Sequence, residues 1–188
     1  MISKEHFSEY GEDEWIDRNM ELPAEGVYVD VGCGHPWRGS NTAFLRKAGW
    51  RGVVIDGNAE QLALWHRSDP RTAVVQAVIS RHELVKFHRD GARSGVQVDG
   101  EEIIRARTLQ SVLDEHGIEK LDYLSVDVEG YELEVLRSFD RARHAPSVIV
   151  AEYNTYGVGL NQDLLAGVPG YKEVHRTHAN LILVREDL

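Results

Sequence analysis

Tyr28-Val29-Asp30-Val31-Gly32-Cys33-Gly34-His35-Pro36 is a short apolar strand that runs into a carboxylate and then into a tight turn with two glycines. Downstream, Gly52-Val53-Val54-Ile55-Asp56 is a second such strand, and it too ends on a carboxylate. The segment between them predicts a helix over Ser40 to Gly49. Ser40 or Asn41 can cap its first N–H groups, and Gly49 suits the position just past its end. This is a βαβ unit with a nucleotide-site signature. Gly32 and Gly34 let the backbone turn sharply and approach a ligand closely. Asp56 follows about 20 residues later, the spacing at which an acidic side chain meets ribose hydroxyls.

The glycine pattern narrows the ligand. A dinucleotide fingerprint would place a third glycine at position 37, where Trp37 stands, and that ring would obstruct close helix–strand packing. No G-x-x-x-x-G-K-[ST] occurs, which argues against a phosphate-cradling P-loop. Asp30-x-Gly32-x-Gly34 instead resembles motif I of the Rossmann-like methyltransferases that bind S-adenosylmethionine, with Pro36 where that motif often has a further glycine. The sulfonium cofactor carries no phosphates, so it needs fewer backbone N–H groups, and an acidic residue near the turn can serve its ammonium group.

Composition sets the outer limits. The chain has 188 residues and reads as one domain, a helical lead-in or lid over 1–25 followed by a Rossmann-like core over 26–188. Its net charge of −10 argues against binding nucleic-acid phosphates. The single cysteine, Cys33, excludes an internal disulfide and a cysteine-based zinc cluster. No apolar run approaches membrane-spanning length and no secretory h-region opens the chain, so a cytoplasmic protein is expected.

Further elements follow from periodicity. Trp15, Ile16 and Met20 predict an amphipathic helix over Glu12 to Met20. A helix over Ala59 to His66 would turn Leu62, Trp65 and His66 inward. The run Thr72 to Ile79 reads as a strand buried on both faces. Turn signals at Arg89-Asp90-Gly91 and Asp99-Gly100 predict a pair of short strands or a hairpin within His82 to Arg107. Thr108 to Gly117 is a capped helix, and a second helix is expected over Tyr131 to Phe139. Ser147 to Asn154 is a buried strand. Tyr171 to Val174 can pair with Leu181 to Val184 as an antiparallel edge.

Four strands thus end on an acid, at Asp30, Asp56, Asp127 and Glu152. In a parallel sheet those ends share one edge, where ligands bind. The positions divide into Asp30 and Asp56 towards a cofactor, and Asp127 and Glu152 towards a reaction. Gln76 or the backbone at Ala77 would lie against an adenine ring.

Several blocks in order resemble the FkbM-type S-adenosylmethionine-dependent methyltransferases. They are Tyr10-Gly11-Glu12-Asp13-Glu14-Trp15, Val29-Asp30-Val31-Gly32, Ser40-Asn41-Thr42, Gly49-Trp50-Arg51-Gly52-Val53-Val54-Ile55, Thr108-Leu109, Asp122-Tyr123-Leu124-Ser125-Val126-Asp127-Val128-Glu129-Gly130-Tyr131-Glu132 and Asn180-Leu181-Ile182. Ser125 stands where the family commonly has lysine, and Asp56 replaces a more usual glutamate. The resemblance implies a mostly parallel seven-stranded α/β sheet with an antiparallel C-terminal edge strand, the S-adenosyl-L-methionine cofactor, and methylation of a hydroxyl on a sugar or natural product. The expected cofactor-binding set is Asp30, Gly32, Cys33, Gly34, Asn41, Asp56, Gly57, Asn58, Gln76, Ala77 and Asp127. The expected catalytic set is Asp127, Glu152 and His178, with His35 a second candidate base. Asp127 and Glu152 could instead hold Mg²⁺, whose preference is for oxygen ligands. Two rival readings are a nucleotide-dependent oxidoreductase, disfavoured by Trp37, and a non-catalytic binding protein on the same fold.

Overall fold

The computed structural model describes residues 1–91, 94–97, 99–155, 159–160 and 163–187. In chain order the first elements are α1 (Glu12–Asn19), β1 (Val27–Val31), α2 (Ala43–Lys47), β2 (Arg51–Asp56), α3 (Ala59–Trp65) and β3 (Thr72–Gln76). They are followed by β4 (Leu84–His88), β5 (Gly95–Val96), β6 (Glu102–Arg105), α4 (Leu109–Glu115), β7 (Tyr123–Val126), α5 (Glu132–Leu136) and α6 (Arg141–His144). The last are β8 (Val148–Glu152), β9 (Asn154–Thr155), β10 (Gly159–Leu160), β11 (Tyr171–Arg176) and β12 (Asn180–Arg185).

The main sheet has seven strands among the described residues, in the order β11-β12-β8-β7-β1-β2-β3. The five from β8 to β3 are mutually parallel; β12 runs antiparallel to β8, and β11 antiparallel to β12. The fold expected from the sequence, antiparallel edge included, is therefore present. β1 sits at the centre, with Val29 opposite Val53 on one side and Leu124 on the other.

Side-chain alternation sends the strands' residues to two cores. Val29, Val31, Ile55, Leu124 and Ile149 pack with Leu109, Val112 and Leu113 of α4 and Val135 and Leu136 of α5. Tyr28, Val54, Tyr123 and Val150 pack the other way, with Ile16 of α1, Phe44 and Leu45 of α2, and Leu62 and Trp65 of α3. Covering both faces explains why these strands read as nearly continuous apolar runs.

Three expectations need correction. β3 is an edge strand rather than a fully enclosed one, with Ala73 and Val74 half-buried and Gln76 exposed, because among the described residues it pairs only with β2. His66 is exposed at the end of α3, so only Leu62 and Trp65 of the predicted inner face turn inward. The segment 82–107 forms three antiparallel strands in the order β5-β4-β6. Val85 and Phe87 of this flap pack on Val78 beyond the end of β3, which seats the flap beside the main sheet's carboxyl edge.

The lead-in docks through its acids. The Glu12 carboxylate accepts hydrogen bonds from Thr177 Oγ1 (2.6 Å) and Asn180 Nδ2 (2.8 Å), fixing α1 to the β11–β12 turn. Trp15 stacks on His175 with ring centroids 4.4 Å apart. Buried Asp13 accepts from the N–H groups of Phe7 and Ser8, and buried Asp17 from those of Ile2 and Ser3. Residues 2–10 are thereby bound as a strap along α1. No helix among the described residues is long and apolar enough to cross a membrane.

Candidate active site

At the end of β1 the backbone of Gly32 takes φ +76°, and its N–H donates to the Ile55 carbonyl (2.8 Å). A Cβ at this position would lie 1.6 Å from the Asp127 carbonyl oxygen. Only glycine lets the ends of β1 and β7 come this close. Gly34 also has a positive φ, and a Cβ there would meet nothing within 4 Å. Its N–H donates to Asp56 Oδ2 (3.2 Å), while Asp56 Oδ1 accepts from the Asn58 N–H (2.7 Å). Asp56 thus ties the glycine turn to the end of β2. Burial pushes its carboxyl up, and the two backbone donors pull it back.

These ends open into a cleft of about 310 Å³. Its floor holds Gly32, Cys33, Gly34, Asp56, Gly57 and Ala77 from the cofactor-binding set, and its far wall holds Asp127, Glu129 and Tyr131. Val78, Ile79 and Phe87 make an apolar side, and Glu9 of the strap and Arg38 stand at the rim. A Cβ on Gly57 would come within 3.0 Å of both Phe87 and Val78, so the missing side chain allows the flap to approach the floor.

Other expected residues do not line the cleft. Asp30 alternates with Val29 and Val31 and so points to the α2 side of the sheet, where its Oδ2 accepts from Thr42 Oγ1 (2.6 Å). Burial there pushes its carboxyl up to about 6, against the hydrogen bonds from Thr42 and Ser125. Asn41 is buried beneath the turn, its carbonyl accepting from Tyr123 OH (3.0 Å). Asn58 caps α3 through the Glu60 N–H (2.9 Å) and donates to the Gly91 carbonyl (3.0 Å). Gln76 is exposed, and only its neighbour Ala77 reaches the cleft. His178 is exposed on the β11–β12 turn, its ring 5.4 Å from that of Tyr10. His35 does line the cleft, but its Nδ1 accepts from the N–H groups of Trp37 and Arg38, both at 3.1 Å.

Asp127 is the acid the fold places in the cleft wall. Burial, and then the charges of Glu152, Glu129, Glu132 and Asp30, push its carboxyl well above the usual carboxylate range. The following turn is held by Glu132 Oε1, which accepts from the N–H groups of Val128 (3.2 Å) and Gly130 (2.9 Å). Glu129 is left in the left-handed region at φ +59°, a conformation costly for a residue with a side chain and common at functional sites. Glu152 ends β8 half-buried, close enough for its charge to act on Asp127. Among the described residues no group of three or more His, Cys, Asp or Glu is placed to hold a metal ion, so the expected Asp127–Glu152 pair gains no third ligand.

The sequence reading missed Glu9, Val78, Ile79, Phe87 and Glu129. Val78 and Ile79 were signalled, since the apolar run from Thr72 continues beyond the strand's pairing with β2. Glu129 was signalled by its acid–glycine turn. Glu9 and Phe87 carry no local signature.

A methyltransferase FkbM domain model matches residues 30–168, from the Asp30 that opens the glycine turn past the acid–glycine turn at Asp127. The chain belongs to the FkbM methyltransferase family. Among solved structures, a fibrillarin/Nop5p complex contains a similar chain with a TM-score of 0.56 at 12% identity, covering 95% of this chain and 81% of that one. A TehB-like SAM-dependent methyltransferase from Corynebacterium glutamicum is similar with a TM-score of 0.53 at 17% identity, covering 95% and 88%. At these identities the likeness is one of fold. No curated protein matches the chain. Membership of the FkbM family makes this Rossmann-like fold a methyltransferase fold and implies S-adenosylmethionine as methyl donor.

Proposed function

We propose that this protein methylates a hydroxyl group of a small molecule such as a sugar or natural product, with S-adenosylmethionine bound in the cleft between the glycine turn and Asp127. The observation that carries this reading is that the Gly32–Gly34 turn and Asp127, at the ends of the neighbouring strands β1 and β7, line one cleft. The floor fits the donor chemically. Gly34 leaves open space beside its backbone, and each Asp56 oxygen keeps a lone pair for a ribose hydroxyl after its one backbone hydrogen bond. Val78, Ile79 and Phe87 offer an apolar surface for an adenine ring. The absence of a third glycine at Trp37 speaks against NAD.

When bound, the donor supplies a methyl carbon whose bond to sulfur breaks, with the electron pair left on sulfur, as the bond to the acceptor oxygen forms. An alcohol is a weak nucleophile at neutral pH, so its proton needs a destination. Asp127 is the residue for that role, since its raised pKa brings the carboxyl nearer the operating pH of a general base. Glu129 and Tyr131 border the same wall and would orient the acceptor. Among the described residues Asp127 and Glu152 are joined by no third His, Cys, Asp or Glu placed to hold a metal ion.

The test is transfer of a radiolabelled methyl group to a panel of sugars and hydroxylated natural products. Label recovered as a methyl ether supports the reading. Label recovered only on nitrogen would move the chemistry to amine acceptors, and no transfer by a protein that binds the donor would leave a binding protein.

A further inference from the structure

Position 37, where a third glycine would stand in a dinucleotide site, carries a tryptophan, and its surroundings show what that ring does. Arg46 of α2 is buried at 2% exposure with its guanidinium between two indoles, 4.0 Å from the Trp37 ring centre and 4.6 Å from that of Trp65. Its Nη1 donates to Ser68 Oγ (3.0 Å), and its Nη2 donates to the carbonyl of Pro36. Trp65, fully buried on α3, donates its indole N–H to the carbonyl of Gly34 (2.8 Å). Two successive helices therefore each reach back to a carbonyl of the glycine turn, on the side away from the cleft. The strap bears on the same cluster, with Phe7 against Trp37 at 5.5 Å between ring centres and Glu5 paired to Lys47 at 2.9 Å.

We propose that Arg46 and Trp65 are positioning residues that clamp the turn from Gly34 to Trp37 in its ligand-ready shape. A glycine-rich turn has high conformational freedom, and ordering it on binding would cost affinity. Two helix-borne hydrogen bonds, one charge-assisted and buried and the other part-buried, order it beforehand. Trp37 covers the outer face of the Arg46 guanidinium, where a cation over an indole is held by the ring's negative face. The role in cofactor affinity rests on the reading of the turn as the S-adenosylmethionine site; the clamp itself does not.

Cys33, the single cysteine, immediately precedes the clamped turn at 4% exposure and reports on its opening. Burial also pushes its thiol well up, so in the closed turn it is slow to react. Alkylation by iodoacetamide would be timed under native conditions in the wild type, Trp65→Phe, Arg46→Met and Leu113→Ala. Trp65→Phe removes the N–H and also shrinks a buried ring, so it is read against the buried large-to-small change Leu113→Ala, and it serves if Arg46→Met does not fold. Leu113 packs on the opposite face of the sheet and controls for general loosening. The clamp predicts alkylation faster by about fivefold or more in Trp65→Phe and Arg46→Met, the scale of one lost hydrogen bond. Leu113→Ala should match the wild type, and S-adenosylmethionine affinity by calorimetry should fall in the two clamp variants. Unchanged alkylation, equal acceleration in Leu113→Ala, or unchanged affinity in faster-reacting variants would overturn the proposal. A wild type that binds no S-adenosylmethionine would refute the proposed function, while the alkylation rates would still decide the clamp.

Discussion

The two walls of the cleft are built in different ways. The proposed cofactor wall comes from the ends of consecutive parallel strands, and its key groups are committed to one another: Gly32 against Asp127, Gly34 and Asn58 on Asp56, Trp65 on Gly34. The proposed acceptor wall joins the end of β7 to a strap from the beginning of the chain, while Phe87 of the flap lies on the proposed adenine side. The acceptor wall's acids crowd together, and burial with the charges of Glu152, Glu129 and Glu132 raises the pKa of Asp127. Under the proposed function, groups on the first wall stay fixed, whereas the central acid of the second exchanges a proton. Substitutions should therefore lower binding or folding on one side and turnover on the other.

The largest effect is expected where the walls touch. Gly32→Ala would drive a Cβ into the Asp127 carbonyl and force a positive φ on a residue with a side chain. Loss of about 3 kcal/mol or more, visible as a lowered denaturation midpoint or insoluble expression, is the expected result. A stable variant would mean that β1 and β7 end farther apart than described here.

On the acceptor wall, Asp127→Asn keeps volume and removes the proton-accepting charge. Turnover should drop about 100-fold or more, the usual scale for a proton-transfer group, with donor affinity much less affected. Wild-type turnover should also rise with pH as the Asp127 carboxyl ionises, and that limb should flatten in the variant. Near-normal turnover would shift the chemistry to another group in the wall.

Asp56→Ala on the cofactor wall should show the opposite split. Donor binding should weaken by about 1–3 kcal/mol, measured by calorimetry, because the change removes both the ribose-facing oxygens and the anchor of the Gly34 N–H. Equal affinity in a folded variant would remove Asp56 from the cofactor site.

Asp30 sharpens the comparison from behind the turn. Burial holds its folded carboxyl at about 6, above the ordinary aspartate value of 3.8, so the folded state holds the proton more tightly than the unfolded one. Its stabilising contribution is complete below the unfolded value and is lost as pH rises through 6. By linkage the loss approaches about 3 kcal/mol. Asp30→Asn should remove this component, so that thermal stability falls less between pH 4 and pH 8 than in the wild type. An unchanged slope would show that Asp30 does not titrate as its burial implies. At the rim, Glu9→Ala should be the mildest change, shifting the acceptor KM a few-fold at most, about 1 kcal/mol or less, and leaving donor affinity alone.

The same contrast governs how much was legible in the sequence. The sheet, the edge hairpin and most of the cofactor floor could be read because strand periodicity and the glycine turn are local signals. Asp30 was assigned to the ligand because it precedes the turn. Yet its alternation with Val29 and Val31, themselves packed against α4 and α5, turns it to the opposite face, and that consequence of strand geometry was readable. Gln76 was misplaced because nothing local distinguishes an edge strand from a central one. Glu9 and Phe87 could not be found from spacing, since tertiary packing of the strap and flap alone brings them to the cleft. Trp37 was read as an obstruction to helix packing; α2 starts only at Ala43, leaving the ring free to cover Arg46.

The most direct test of the account is calorimetric titration of the wild-type protein with S-adenosylmethionine and, separately, with NAD. The account predicts saturable binding of S-adenosylmethionine at one site per chain, competed by S-adenosylhomocysteine, and no binding of NAD. Binding of NAD without S-adenosylmethionine, or of neither, would contradict it.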